Sequence, residues 1–191
     1  MPNAKPATDI NVVQGQALSS VKGFGEGAHK ARHVEIFPGL CAVVGDEGTG
    51  KTALLTALAA TNSNTVWLDH SLPDADHSTP LDVWQQCTTD YPQWDQALAR
   101  DLASALNLDP HAHKLLYMLS TGSRRKVGLV VLLASGATVT CLDQPFGALD
   151  RPSIDVLRRF FEDAAPHSQR AWVIADYEAD PHISWQHTIN L

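Results

Sequence analysis

The stretch "GDEGTGKT", Gly45 to Thr52, decides the fold of this chain. It follows the fully apolar run "LCAVV" and leads into "TALLTALAA", which contains no helix breaker. A short apolar run that ends at glycine predicts a buried strand, and the residues after Lys51 predict a helix. The sequence therefore predicts a strand, a glycine-rich loop and a helix in direct succession.

The composition of this loop predicts phosphate binding. The pattern is Gly, four residues, then Gly-Lys-Thr, and the glycines allow backbone N–H groups to turn inward around phosphate oxygens. Lys51 brings a positive charge to the terminal phosphates, Thr52 offers a hydroxyl to Mg²⁺, and the helix directs its positive end at the anion. The residues expected to bind the nucleotide are Gly45, Asp46, Glu47, Gly48, Thr49, Gly50, Lys51 and Thr52.

A second informative stretch is "VTCLDQPFGALD", residues 139–150. It predicts a buried strand that ends at Asp143, where a carboxylate can hold Mg²⁺ directly or through water. Gln144 follows, where ATPases that end a strand this way usually carry a catalytic carboxylate. An amide can orient a water by hydrogen bonding, but it has no basic oxygen to accept the proton at neutral pH.

Predicted strands and helices alternate along the rest of the chain. This alternation favours an α/β fold with a mostly parallel sheet flanked by helices. Thr79-Pro80 is typical of a helix start, and apolar residues at four-residue spacing predict another helix over 92–107. We expect a single domain over 1–191, with 1–33 as a poorly defined N-terminal segment and about 72–120 as a small helical subdomain.

Composition excludes several classes of function. The net charge is −7, which argues against a nucleic-acid partner, and 44% hydrophobic with 18% charged residues is typical of a globular protein. The N-terminus lacks an apolar core of signal-peptide length, and the apolar stretch over 127–142 is shorter than the roughly 20 residues of a membrane span. Three cysteines without paired spacing predict free buried thiols in a reducing cytoplasm.

The order of motifs in the second half resembles the ATP-binding cassette (ABC) family. "LSTGSRRKV", 119–127, stands where that family has its "LSGGQ" signature, and "QPFGALD" differs from the family's "EPFGALD" only at Gln144. Ser120 and Gly122 match the signature, whereas Thr121 and Ser123 depart from it. The resemblance implies a P-loop NTPase fold, in which the small helical subdomain carries the signature motif. The short chain is also similar to the compact ATPases of small exporters, such as the haem exporter of cytochrome c maturation.

The resemblance implies ATP and Mg²⁺ as ligands and a separate integral membrane permease as partner. Thr52 and Asp143 would hold the metal. Two ATPase domains would meet head to tail, in a homodimer or a heterodimer, so that the signature residues Ser120 to Ser123 contact the partner's nucleotide. The chain would then work in the cytoplasm, peripherally at the inner face of the membrane.

Several family positions are missing from the sequence. The catalytic base falls on Gln144, the switch histidine on Ala175, and the Q-loop glutamine on Ser71 or His70. These losses predict reduced ATP hydrolysis. Two alternatives stay open: a non-hydrolysing nucleotide-gated regulatory module, and a small-molecule kinase, which the signature disfavours. Arg124 and Arg125 are expected to form a solvated helix face, and Phe24 is a candidate for stacking on adenine.

Overall fold

Strands and helices alternate along the computed structural model, which describes residues 16–25 and 32–191. The segment predicted over 1–33 therefore lies mostly outside the described residues. The strands are β1 Ser19–Lys22, β2 His33–Ile36, β3 Gly39–Val44, β4 Thr65–Val66, β5 Val139–Asp143, β6 Ala171–Asp176 and β7 His187–Asn190. The helices are α1 Lys51–Thr61, α2 Pro80–Asp90, α3 Gln96–Ala105, α4 Thr121–Ala134 and α5 Arg151–Ala164.

The central sheet confirms the predicted α/β class. Its strand order is β4-β5-β6-β3-β7, and every neighbouring pair is parallel. β1 and β2 form a separate antiparallel pair. Because all strands of the central sheet point the same way, the loops after β3, β5 and β6 emerge at one edge, where ligands of such sheets bind.

Alternating side chains along the strands divide the core between the two faces of the sheet. In β6, Trp172 and Ile174 pack with residues of α3, α4 and α5, whereas Val173 and Ala175 pack with residues of α1. The period of two along a strand produces this division. The phosphate-loop helix α1 is thereby fixed on one face of the sheet, and α4 on the other.

Side-chain caps set the starts of the helices that lie between α1 and β5. Thr79 accepts a hydrogen bond from the Asp82 N–H with Pro80 in the first turn of α2, as predicted. α3 begins later than predicted, at Gln96, because the Asp95 carboxylate caps the N–H groups of Ala97 and Leu98.

Helix α4 is buried on nearly every side. All residues from Lys126 to Ala134 are buried, so the apolar run in the sequence is a core helix. Within the described ranges, none of the helices has the length and apolar character needed to cross a bilayer. The cysteines are free and buried as predicted, and burial raises the pKa of Cys41 and of Cys87 to about 12.

Candidate functional site

The predicted phosphate loop lies at the carboxyl end of β3, beside the ends of β5 and β6. Gly48 and Gly50 have φ angles of 77° and 92°, in the left-handed region that glycine adopts without strain. Gly45 is required for a different reason. A Cβ there would lie 2.7 Å from the Thr49 hydroxyl and 2.9 Å from the Leu191 carbonyl. The shape of the loop therefore depends on these glycines.

Lys51 opens α1 and folds back over the loop. Its Nζ donates to the carbonyl oxygens of Gly45 at 2.6 Å and Asp46 at 2.7 Å, and the side chain is buried. The same ammonium lies 4.9 Å from the centre of the Tyr177 ring, which follows β6. These partners are all uncharged, so the positive charge of Lys51 is available to an anion.

Thr52 and Asp143 meet at the predicted metal position. The Thr52 hydroxyl donates to the Asp143 carboxylate, with 2.5 Å between Oγ1 and Oδ2. Adjacent oxygen ligands of one Mg²⁺ ion lie about 3 Å apart at ideal octahedral geometry. A hydroxyl and a carboxylate this close to one another are oxygen donors of the kind that Mg²⁺ prefers, so these two residues would hold the ion.

Gln144 occupies a conformation that few residues other than glycine adopt. Its φ is 48°, its N–H donates to the Ala175 carbonyl at 2.8 Å, and its own carbonyl accepts from Gly147 N–H at 3.1 Å. These bonds hold a turn that is intrinsically unfavourable. Gln144 lines the same cavity as Thr52 and Asp143.

That cavity has a volume of about 370 Å³. It is lined by Thr52, Trp67, Leu68, Asp69, His70, Arg125, Asp143 and Gln144. His70 is only 3% exposed, and its Nε2 accepts a hydrogen bond from Arg125 at 2.8 Å. Burial lowers the pKa of His70 and the Arg125 charge lowers it further, while Asp69 and Asp143 oppose this. His70 is therefore held neutral, with Nε2 as the acceptor.

The prediction of a solvated helix face at Arg124 and Arg125 is wrong. Both side chains are half-buried, and Arg124 contacts Asp76 and the carbonyls of Ser71 and Leu72. The Arg125 guanidinium reaches the Gln144 carbonyl at 2.7 Å. No local sequence signal distinguishes these arginines, because their partners come from distant segments.

Two further residues differ from their predicted surroundings. Ala175 is fully buried in the core beside α1, and the residues that reach the edge of the site after β6 are Asp176 and Tyr177. Tyr177 is not among the site residues predicted from the sequence, although an aromatic residue directly after a strand is a recognisable feature. Phe24 is 5% exposed and belongs to the core, so its ring does not form an open face for adenine.

The signature residues lie at the start of α4. The Ser120 hydroxyl accepts from Ser123 N–H at 3.1 Å and caps the helix, while Thr121 is exposed. A Cβ on Gly122 would lie 2.6 Å from the Ala148 carbonyl, so glycine is needed for packing within the chain. These residues do not line the cavity that contains Thr52 and Asp143.

This chain resembles known proteins in sequence and in fold. The family model described as ABC transporter matches residues 33–147. The chain is 32% identical over 124 residues to the cytochrome c biogenesis ATP-binding export protein CcmA of Paracoccus denitrificans, covering 61% of this chain and 59% of that protein. It is 30% identical over 132 residues to the taurine import ATP-binding protein TauB of Pseudomonas putida. This match covers 58% of this chain and 50% of that protein. The chain thus spans between half and three fifths of the length of these relatives.

Solved structures share the fold. An ABC transporter ATP-binding protein from Pyrococcus furiosus superposes with a TM-score of 0.70 at 18% identity, covering 88% of this chain and 94% of that one. An ATP-binding subunit of another ABC transporter superposes with a TM-score of 0.69 at 14% identity. The superposition covers 84% of this chain and 79% of that one. The family match over more than half of the chain shows that this protein belongs to the ABC transporter family.

Proposed function

We propose that this subunit couples ATP binding, with slow hydrolysis at most, to a separate integral membrane permease. The pairing of Thr52 with Asp143 beside the phosphate loop carries the proposal, because it supplies the metal ligands of a phosphate site. Mg²⁺, when bound there, would neutralise charge on the nucleotide phosphates. Lys51, the loop N–H groups and the start of α1 would bind the same phosphates.

Weak hydrolysis follows from the residues beside this site. Gln144 lines the cavity but cannot accept a proton from an attacking water at neutral pH. Loss of general-base assistance typically costs about 10²–10⁴-fold in rate. Ala175 faces the core, and Asp176, which follows it at the edge of the site, carries a carboxylate that cannot donate a hydrogen bond to the γ-phosphate. Binding groups are thus retained while groups for the chemical step are missing.

Lys51→Ala tests nucleotide binding directly. We expect it to weaken Mg-ATP binding by at least tenfold, because a charge-assisted hydrogen bond contributes about 1.5–3 kcal/mol. Titration with a fluorescent ATP analogue measures this. Lys114→Ala is the matched control, since it removes the same charge from an exposed position before α4. Equal affinity in wild type and Lys51→Ala would contradict the proposal.

The groove between α2 and α3 is the candidate contact surface for the permease. An open groove of about 860 Å³ is lined by apolar side chains such as Leu81 and Trp84 and by charged ones such as Asp82 and Arg100. Leu81 is 42% exposed although it is large and apolar. A permease loop of mixed polarity would fit this groove, and the subunit would then lie in the cytoplasm at the inner face of the membrane. Co-purification of a co-expressed permease, lost in Leu81→Asp, is the corresponding test.

The alternative function is a nucleotide-gated module that binds ATP and dimerises without driving transport. The amide at Gln144, where a catalytic carboxylate is expected, favours it. ATP hydrolysis measured with and without a co-reconstituted permease separates the two functions. Stimulation by the permease supports transport, whereas ATP-dependent dimerisation without turnover in either condition supports the module. In both cases the chain would dimerise head to tail, either with a second copy of itself or with a different ATPase subunit.

A further inference from the structure

Three consecutive basic residues, Arg124 to Lys126, lie near the start of α4, and they have different partners. Arg124 forms an ion pair with Asp76, and Lys126 forms one with Asp150 at 3.2 Å. Arg125 makes no ion pair with any residue that the structure describes. Its positive charge is therefore uncompensated by a direct contact.

The Arg125 guanidinium is instead held by neutral acceptors at the nucleotide site. One NH2 group donates to His70 Nε2 at 2.8 Å and to the Gln144 carbonyl at 2.7 Å. The buried Arg125 Nε and His70 Nδ1 have no hydrogen-bond partner in the described part of the chain. A half-buried guanidinium with only neutral partners keeps its charge available for an anion, and its planar donors suit phosphate.

The surrounding backbone holds Arg125 in this position. Helix α4 passes so close to His70 that a Cβ on Gly128 would lie 2.7 Å from the His70 Cα. Arg125 and Gly128 are three residues apart and therefore share one helix face. The carboxylate of Asp69, which also lines the cavity, accepts from Ser71 N–H at 2.8 Å and forms no ion pair with Arg125.

We propose that Arg125 contacts the γ-phosphate of ATP bound to the chain's own phosphate loop, with His70 as a positioning residue. The inference rests on the proposed function. Thr52 and Asp143 would hold the Mg²⁺ that neutralises charge on the terminal phosphates, so the γ-phosphate would lie near these residues, and Arg125 lines the cavity that contains them. Arg125 thus supplies a γ-phosphate contact from the same chain, and it favours ATP over ADP.

Arg125→Gln tests the contact by nucleotide selectivity. We expect Mg-ATP affinity to fall by about 10- to 100-fold, as for loss of a charged hydrogen bond, and Mg-ADP affinity to fall by less than about threefold. Calorimetric titration of both nucleotides gives the two constants without relying on turnover. Arg125→Lys, which keeps the charge, should lose less selectivity than Arg125→Gln.

Arg124→Gln is the matched control, because it removes the same charge one residue away, where the partner is Asp76. It should lower the thermal midpoint without changing the ratio of ATP to ADP affinity. Equal losses for ATP and ADP in Arg125→Gln, or no loss, would overturn the inference. Lys51→Ala separates this failure from that of the proposed function, because it should weaken both nucleotides. Wild type without nucleotide binding would overturn both.

His70 is tested by loss and rescue. His70→Leu removes the acceptor for Arg125 and should reduce the ATP-to-ADP affinity ratio. His70→Gln restores an acceptor near the position of Nε2 and should recover most of the ratio. If His70→Leu changes only the thermal midpoint, His70 has a structural role alone, and its assignment as a positioning residue is wrong.

Discussion

Gln144 shows how a single residue can keep the shape of a site while changing its chemistry. Its left-handed φ of 48° costs about 1–3 kcal/mol for a residue with a Cβ. The hydrogen bond from its N–H to the Ala175 carbonyl and the one from Arg125 to its own carbonyl hold it there. None of these bonds uses the Gln144 side chain. The turn therefore does not depend on whether position 144 carries an amide or a carboxylate.

Gln144→Glu should for this reason preserve the fold and raise the rate of ATP hydrolysis. The added carboxylate can accept a proton from the attacking water, which typically contributes about 10²–10⁴-fold. A phosphate-release assay on purified wild type and variant measures the change, with thermal unfolding as the check on folding. Wild-type turnover at an ordinary ATPase rate of order 1–100 s⁻¹ would show that Gln144 is no impediment. If the variant gains nothing, a group other than the base limits the reaction.

At the scale of elements, helix α4 connects the signature to the nucleotide site. Its first residue follows the Ser120 cap, and Arg125 and Gly128 on one face meet His70. The close approach to His70 permits only hydrogen at position 128. Because the obstacles are backbone and Cβ atoms, they cannot move aside as a flexible side chain would.

Gly128→Ala should therefore destabilise the protein, although alanine favours a helix interior by about 1 kcal/mol over glycine. Overpacking of this kind typically costs about 1–3 kcal/mol. Urea unfolding gives the change in stability, and calorimetry should show a lower ratio of ATP to ADP affinity, since Arg125 moves with the helix. A stability gain in this variant would mean that α4 and His70 are not in contact.

Strands and helix starts were predictable from the sequence where neighbouring residues alone determine them. The strand before Gly45, the α2 cap at Thr79 and the strand ending at Asp143 were predicted correctly, because each depends on neighbouring residues. The surroundings of Arg125 were not, since they are set by contacts with His70 and Gln144, which are 55 and 19 positions away. Ala175 was assigned to the site by motif position, whereas strand alternation turns it into the core.

The whole molecule contains a phosphate loop and a signature that serve different surfaces. Lys51, Thr52 and Asp143 cluster at the edge of the sheet, and Ser120 to Ser123 do not line that cavity. In a head-to-tail dimer, the signature would instead approach a second copy or another ATPase. Gly122 is a poor position at which to test this, because a side chain would meet the Ala148 carbonyl within the same chain.

Thr121 is the better position for a test of ATP-dependent dimerisation. It is exposed in the first turn of α4, where a glutamate favours the helix, so Thr121→Glu should leave the monomer folded. In the dimer the same carboxylate would face the partner's phosphates, and repulsion should prevent association. Thr121→Gln is the control of nearly equal size without the charge. Light scattering with Mg-ATP should detect dimers for wild type and Thr121→Gln but not for Thr121→Glu. Because a heterodimer is also expected, the measurement includes mixtures with a co-expressed second ATPase. Equal assembly by wild type, Thr121→Gln and Thr121→Glu would refute the contact between the signature and the partner's nucleotide.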